Sequence, residues 1–578
     1  MEFPGINKLG DFNPQLLREL KGRLKQRNVI IAAAISLLGQ FLLLQYFQSL
    51  IPKAPETGEY TYKIYKHLCT GASNGSYNGK EFECIRDTYG NFVINWQQWW
   101  LNVFVILSVL AIGVLLVAGS YMLIADLAKE ERQGTLNFIR LSPESTEKLL
   151  VGKLLGTPIL LYLLVGLAVP LHLWAGLSAQ VPLWEILGFY AVAIAFCVCF
   201  FSASLLYGLV TSWLAGFQAW LASGSLAFFA FLVYALTYNS PIDTPLNWFR
   251  LFIPFDVIPS LTESSFYLYS TERELEKLQW FFLPIGSSLA ILFCFYLLNY
   301  GLWNYWIWQG IKRRFRNQNA TIFSKSQSYL LTACFAVSSL GFGLPGYRYD
   351  SQSNETWLND HIAWFCCLNL VLFSFLIAAL SPQRQSLQDW SRYRRERAFE
   401  VKKFWNTSLF QSLTWGEKSP ALLAIALNLV IAITPLALFV ITSNADSETK
   451  SNAFLSLALL ASLVMCYAIL AQVMLFAKTR NPEIWAIGAV GAAVVLPPVI
   501  LGLLSINPES SLGFLWLFTV GAPIVPLYNL GSQLTMLTVC VGIIAQCSGL
   551  ALLNFNFTRK LKKAGESETK ALLSASNS

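Results

Sequence analysis

LNVFVILSVLAIGVLLVAGSYMLIA at 101–125, DLAKEERQGTLNFIRLSPESTEKLLVGK at 126–153 and LLGTPILLYLLVGLAVPLHLWAGLS at 154–178 decide the fold. The outer stretches hold no Asp, Glu, Lys or Arg, and each exceeds the roughly 20 residues that cross a bilayer core as a helix. The middle stretch is charged and keeps a helical apolar spacing, so it reads as a connector held just outside the membrane. The same alternation runs through the chain. Apolar runs occur at about 28–51, 101–125, 154–178, 186–213, 217–238, 280–308, 329–346, 361–381, 419–442, 453–477, 484–505 and 531–556, which makes twelve expected spans. Composition agrees: 55% of the 578 residues are hydrophobic, 13% are charged, and the mean hydropathy is +0.50. Soluble domains carry roughly 25% charge. An all-α polytopic membrane protein is the expected fold class.

The connector has its own internal reading. Glu130 and Glu131 suit the positive end of a short helix, and Leu136 and Ile139 give it an apolar stripe. Ser142-Pro143 ends it, because a residue before proline is pushed out of the helical region. Ser142 then caps the next helix, with Pro143 at its first position and Glu144 in its first turn. Gly134-Thr135-Leu136, Ser142-Pro143 and Gly152-Lys153 occur here in order. With Glu131 they resemble the segment between the second and third spans of type-2 permeases of ATP-binding-cassette exporters. That resemblance implies a transmembrane subunit forming a substrate path, driven by a separate nucleotide-binding ATPase. It also implies that 130–142 docks on that ATPase, with Glu131, Gly134, Thr135, Leu136, Ile139, Ser142 and Pro143 as coupling residues. The alternative is an ordinary connecting loop.

Charge sets the orientation. With the first residues in the cytosol, 31 of the 41 Lys and Arg fall on the cytosolic side and 10 outside. Such a bias is the positive-inside pattern, so both termini are expected in the cytosol of a plasma or inner membrane. The net charge of +8 then belongs to span flanks and lipid headgroups rather than to a nucleic-acid platform. The stretch 1–27 is polar, and the first span is too long for a cleaved leader. Asn13-Pro14 reads as a cap and a first helical position, followed by Leu17, Leu20 and Leu24 on one face of a basic amphipathic helix expected in the headgroup region.

Two halves are expected. Residues 28–318 form a six-span unit with its connector at 126–153, and residues 319–578 form another with a basic loop at 382–418 and a tail at 557–578. Even parity makes them parallel repeats about an axis normal to the membrane. The second loop lacks Gly-Thr-Leu. Cys69 and Cys84 share an external loop and are within reach of a disulfide, with two free thiols as the alternative.

Other classes lose on what the sequence lacks. No Walker A string is present; Gly71 through Lys80 has the wrong glycine spacing and no following Ser/Thr. ATP is therefore expected on a partner, with no cofactor, metal or catalytic residue assigned here. Ion-coupled carriers place ionisable groups near the bilayer midplane, and the twelve spans have no Asp, Glu, Lys or Arg in their central parts. Asn369, Asn428 and Gln472 read as interhelical contacts. A membrane lipid or glycan transferase needs a presented base or metal-binding carboxylates. His67, His172 and His361 have no ligand-like spacing, and His172 reads as a packed residue. Gly152-Lys153-Leu154-Leu155-Gly156 offers a small-residue face for a neighbouring helix. Substrate identity and one or two copies per transporter stay open.

Overall fold

The computed structural model describes residues 11–53, 64–72, 81–211, 214, 216–239, 244–255, 257–260, 277–344, 354–398, 407–479, 481–529 and 536–565. The string from Gly71 to Lys80, parts of 382–418 and the end of 557–578 fall partly outside these residues. The chain divides into two compact units, one of residues 1–242 and 246–318, the other of residues 243–245 and 319–578.

In the first unit, α1 (Pro14–Arg23) and α2 (Gln26–Ser49) precede a small loop. There Tyr65–Lys66 pairs antiparallel with Phe82–Glu83, and Cys69 and Cys84 form a disulfide. Because the other nine cysteines are free, maleimide in denaturant is expected to add to nine sites before reduction and to all eleven after it. Eleven adducts without reductant would remove the bridge. α3 (Trp96–Val114) continues through a π-helical turn, Leu115–Gly119, into α4 (Ser120–Arg132). Then follow α5 (Thr135–Arg140), α6 (Thr146–Gly156), α7 (Ile159–Ser178), α8 (Leu183–Val210), α9 (Phe217–Asn239) and α10 (Leu289–Arg316). Glycines let the long helices close up: a Cβ at Gly119 would lie 2.4 Å from the Phe201 ring, and one at Gly188 would lie 2.3 Å from Phe293. Small residues at such crossings are how membrane helices gain packing contact without a hydrophobic driving force.

The second unit holds α11 (Lys325–Gly343), α12 (Asn354–Leu380), α13 (Arg384–Ala398), α14 (Thr407–Trp415), α15 (Leu422–Thr442), α16 (Ser447–Leu475), α17 (Pro482–Leu503) and α18 (Met536–Ala564). The polar residues noted in its spans divide by role. Asn428 joins α15 to α11, donating to Ser328 Oγ at 2.9 Å and accepting from Thr332 Oγ1 at 2.8 Å. Gln472, with its amide oriented to satisfy both partners, accepts from the backbone N–H of Ala421 and Leu422 at 3.0 and 3.2 Å, covering the start of α15. Asn369 donates only within its own helix, to Phe365 O.

Among the described residues, ten helices are long and apolar enough to cross a bilayer, so the chain is an integral multi-pass membrane protein by length and composition. The two other expected spans coincide with α10 and α11, helical but more polar. The two units also share an internal order of neighbours. In the first, α2 and α3 pack on α7, α4 on α8 and α8 on α10; in the second, α11 and α12 pack on α15, α12 on α16 and α16 on α18. The third long helix of each unit carries an internal proline, Pro170 in α7 and Pro435 in α15. The fifth differs: α9 lies on α4, whereas α17 lies on α16.

Candidate functional site

α4 runs on to Arg132, well past the apolar run that ends at Ala125, because its terminal charges find partners. The chain then turns at Gly134, whose φ of 70° is left-handed and open to glycine without strain. α5 begins at Thr135, whose Oγ1 donates to Glu130 O at 3.2 Å. Glu130 and Glu131 therefore sit in the last turn of α4 rather than the first turn of a new helix, which corrects the sequence expectation. The next boundary shifts too. Ser142 Oγ accepts from Glu144 N at 3.4 Å, but the cap of α6 is Ser145, accepting from Lys148 N at 3.3 Å. Pro143 precedes that helix and is exposed.

α5 has apolar groups on both sides. Leu136, 2% exposed, and Ile139 point into the first unit and hold the helix down. Phe138 and Leu141, 77% and 83% exposed, point away from it. Leu136 and Ile139 are thus internal anchors, and the outward pair is absent from the candidates that the sequence singles out. A signal for it does exist there: two interleaved i, i+3 pairs, Leu136 with Ile139 and Phe138 with Leu141, put apolar groups on two faces of a short helix outside any span. The far end of α5 is clamped to α10. Arg140 lies 5.7 Å over the Phe315 ring and 3.6 Å from Glu131, and Gln318 Nε2 donates to Glu131 at 2.9 Å.

Behind α5 lies a charge cluster. Lys153 on α6 is 1% exposed. Its ammonium lies 2.7 Å from both Asp126 Oδ2 and Glu130 Oε2, one turn apart on α4, and 3.5 Å from Glu19 Oε1 on α1. Arg23 spans Glu19 at 3.1 Å and Asp126 at 2.6 Å, and Arg18 reaches Glu130 at 3.0 Å. Gln15 Nε2 adds a bond to Glu19 at 3.0 Å. Three cations thus meet three carboxylates. The carboxylate oxygens stand within 4.8 Å of one another, a spacing that suits a metal ion, but the lysine ammonium holds the centre. Burial opposes charge on Lys153, yet the fields of Asp126, Glu130 and Glu19 outweigh it and raise its pKa. The stability this gives is complete below the ordinary lysine value and is lost only as pH rises through the higher folded value. Lys153 is charged throughout the neutral range.

The same contact explains the two glycines of α6. A Cβ at Gly152 would lie 2.7 Å from Asn13 Oδ1 and 2.9 Å from Leu16 N; one at Gly156 would lie 2.5 Å from Glu19 Cβ. α1 therefore lies directly on α6, fastened by Asn13 Nδ2 donating to Lys148 O at 2.6 Å, while Asn13 Oδ1 caps α1 by accepting from Leu16 N. The expected cap is present. The packing face is not the expected one: Asn13, Gln15, Glu19 and Leu20 are buried, whereas Leu17 and Leu24 are only half-buried. Gly156→Leu is expected to lift α1 off α6 and leave the spans inserted, read as rapid tryptic cleavage after Lys21; cleavage at the native rate would show the contact to be unimportant.

His172 lies apart, within α7. Its Nε2 meets Ser108 Oγ at 2.7 Å and its Nδ1 meets Tyr190 Oη at 2.8 Å, with the ring against Phe104. Both nitrogens are engaged, as a packed histidine requires. No protein-family model matches the chain, and no curated protein or solved structure does so either.

Proposed function

We propose that the chain is the permease of a type-2 ATP-binding-cassette exporter, twelve spans in two parallel halves, driven by a separate ATPase subunit that docks on α5. One observation carries the reading. A short helix outside the spans presents Phe138 and Leu141 to solvent. It is held to α4 by Thr135 on Glu130 O and to α10 by Arg140 over Phe315, and Glu130 also enters the buried charge cluster that joins α4 to α1 and α6. A partner pressing on that apolar pair meets a part that cannot yield locally, so force passes into α4 and α6 and on into the spans they continue. The matched Gly-Thr-Leu, Ser-Pro and Gly-Lys lie in this same segment. The shared neighbour order of the two units and the paired prolines support the repeat. ATP belongs to the partner, and no metal or cofactor is assigned to this chain.

The test is isolation of the full chain from its native membrane in mild detergent. A stoichiometric subunit bearing a Walker A motif, with ATPase activity that rises on reconstitution with this chain, is expected. A chain that purifies alone and retains transport or transferase activity would end the proposal. Orientation is tested separately. A cysteine at Ser145, an exposed position, should react with an impermeant maleimide only after permeabilisation, because the basic bias places 126–153 in the cytosol. Labelling in intact cells would reverse the topology.

A further inference from the structure

A half-open cavity of about 880 Å³ lies within the second unit, lined by residues of α13, α14, α15, α16 and α18. Its size is that of a small-molecule site. We propose that it holds one anionic phospholipid drawn from the adjoining leaflet, chain inward and phosphate at the rim.

The α18 wall changes polarity in one direction. Leu550, Asn554, Thr558 and Lys562 all line the cavity and repeat every four residues, which puts them on one helix face. From Leu550 to Lys562 the helix rises about 18 Å, comparable to the roughly 20 Å from the headgroups to the bilayer midplane. Hydrocarbon, amide, hydroxyl and ammonium follow one another in the order in which a phospholipid presents chain, ester and phosphate. The opposite walls agree. Leu423, Ala426 and Met465 line the cavity from the spans α15 and α16, and Trp390 and Arg394, one turn apart on α13, line it from the connector side.

The rim is also charged in one sense. Arg394 and Lys562 line it, and no carboxylate does among the described residues. Arg394 is half-buried and lies 5.5 Å over the Trp390 ring; burial lowers its pKa, so an anion beside it would relieve that cost. The rim is fixed before any lipid arrives. Trp390 Nε1 donates to Ser412 Oγ on α14 at 2.8 Å, and Ser391 Oγ donates to Leu561 O on α18 at 2.8 Å. A basic residue near an anionic leaflet is worth about 1 kcal/mol, or roughly fivefold.

The experiment uses the full chain in detergent, titrated with phosphatidylglycerol, phosphatidylcholine of the same chains, or glycerol phosphate, with bound lipid counted by native mass spectrometry. One phosphatidylglycerol per chain is expected, held at least tenfold more tightly than phosphatidylcholine. Arg394→Gln with Lys562→Gln should weaken it about 25-fold and leave phosphatidylcholine unchanged. Ala426→Trp, which fills part of the cavity, should reduce both. Lys562 is exposed, so Lys562→Gln alone serves as a variant that folds, with about a fivefold loss. Equal affinity for the two lipids, or no effect of Lys562→Gln, would overturn the proposal. So would glycerol phosphate competing as well as the lipid, which would make this a free-anion site. Binding that emerges only after deletion of 566–578 would make the chain's own tail the occupant and overturn it as well.

Discussion

Trypsin is expected to cut α1 of Lys153→Met at least 100-fold faster than the native chain. Removing the ammonium leaves buried Glu130 and Glu19 and half-buried Asp126 around a methyl group, with Arg18 and Arg23 left to offset them. Breaking a buried ion pair from one side costs about 3–5 kcal/mol, and about 3 kcal/mol is already a factor of more than 100 in a docking equilibrium. The cheapest relief is to release α1, since Glu19 and the bridging Arg23 leave with it and regain water. Cleavage at Lys21 and Lys25 then tracks the undocked population. A second change separates charge from packing: Glu19→Gln added to Lys153→Met removes one of the three carboxylates that have lost the ammonium and should recover part of the protection. Equal cleavage of Lys153→Met and the native chain would mean that the cluster does not anchor α1.

The other large effect concerns function. Phe138→Asp with Leu141→Asp should leave the membrane fold intact, because both side chains are exposed and surface changes usually lie within about 0.5 kcal/mol. Loss of a central apolar pair at a docking surface costs about 2–4 kcal/mol, so, on the proposed function, affinity for the ATPase should fall roughly 30-fold to 1,000-fold and transport with it. Leu136→Asp is not an equivalent test. It would place a carboxylate in the interior of the first unit and disturb α5 itself. Native transport by a stable double variant would reduce α5 to a connector and remove the main support for the permease reading.

The sequence makes the membrane class plain, because hydropathy over a window of about 20 residues is a local quantity. Asn13 as a cap and Gly152 and Gly156 as a packing face are likewise local signals, whereas the turn at Gly134 is not marked in a stretch that reads as one helix over 130–142. What the sequence hides is set by distance. Glu19 is the acid that completes the Lys153 cluster from a basic helix, yet it lies 134 positions away in the chain, and no periodicity links the two. The end of α4 is obscured for the same reason: Glu130 and Glu131 look like a helix start until the cations that neutralise them at a helix end are known. Leu136 reads as a contact for a partner because one-dimensional spacing identifies a stripe without saying what the stripe faces.

The buried cluster also imposes an order on biogenesis. The chain emerges from its first residue onward, so α1, α2 and α4 exist before α6 has been made. Until Lys153 arrives, Asp126 and Glu130 have Arg18 and Arg23 within reach but lack the ammonium that lets them leave water together. α1 therefore cannot seat during synthesis of the first two spans, and Gly152 and Gly156, which form its seat, are absent as well. Its docking comes only after α6 has been delivered to the same side of the membrane as α4. An insertion error that placed α6 on the opposite side would leave α1 loose, with its basic residues open to proteases, so the seated helix marks correct insertion of the third span.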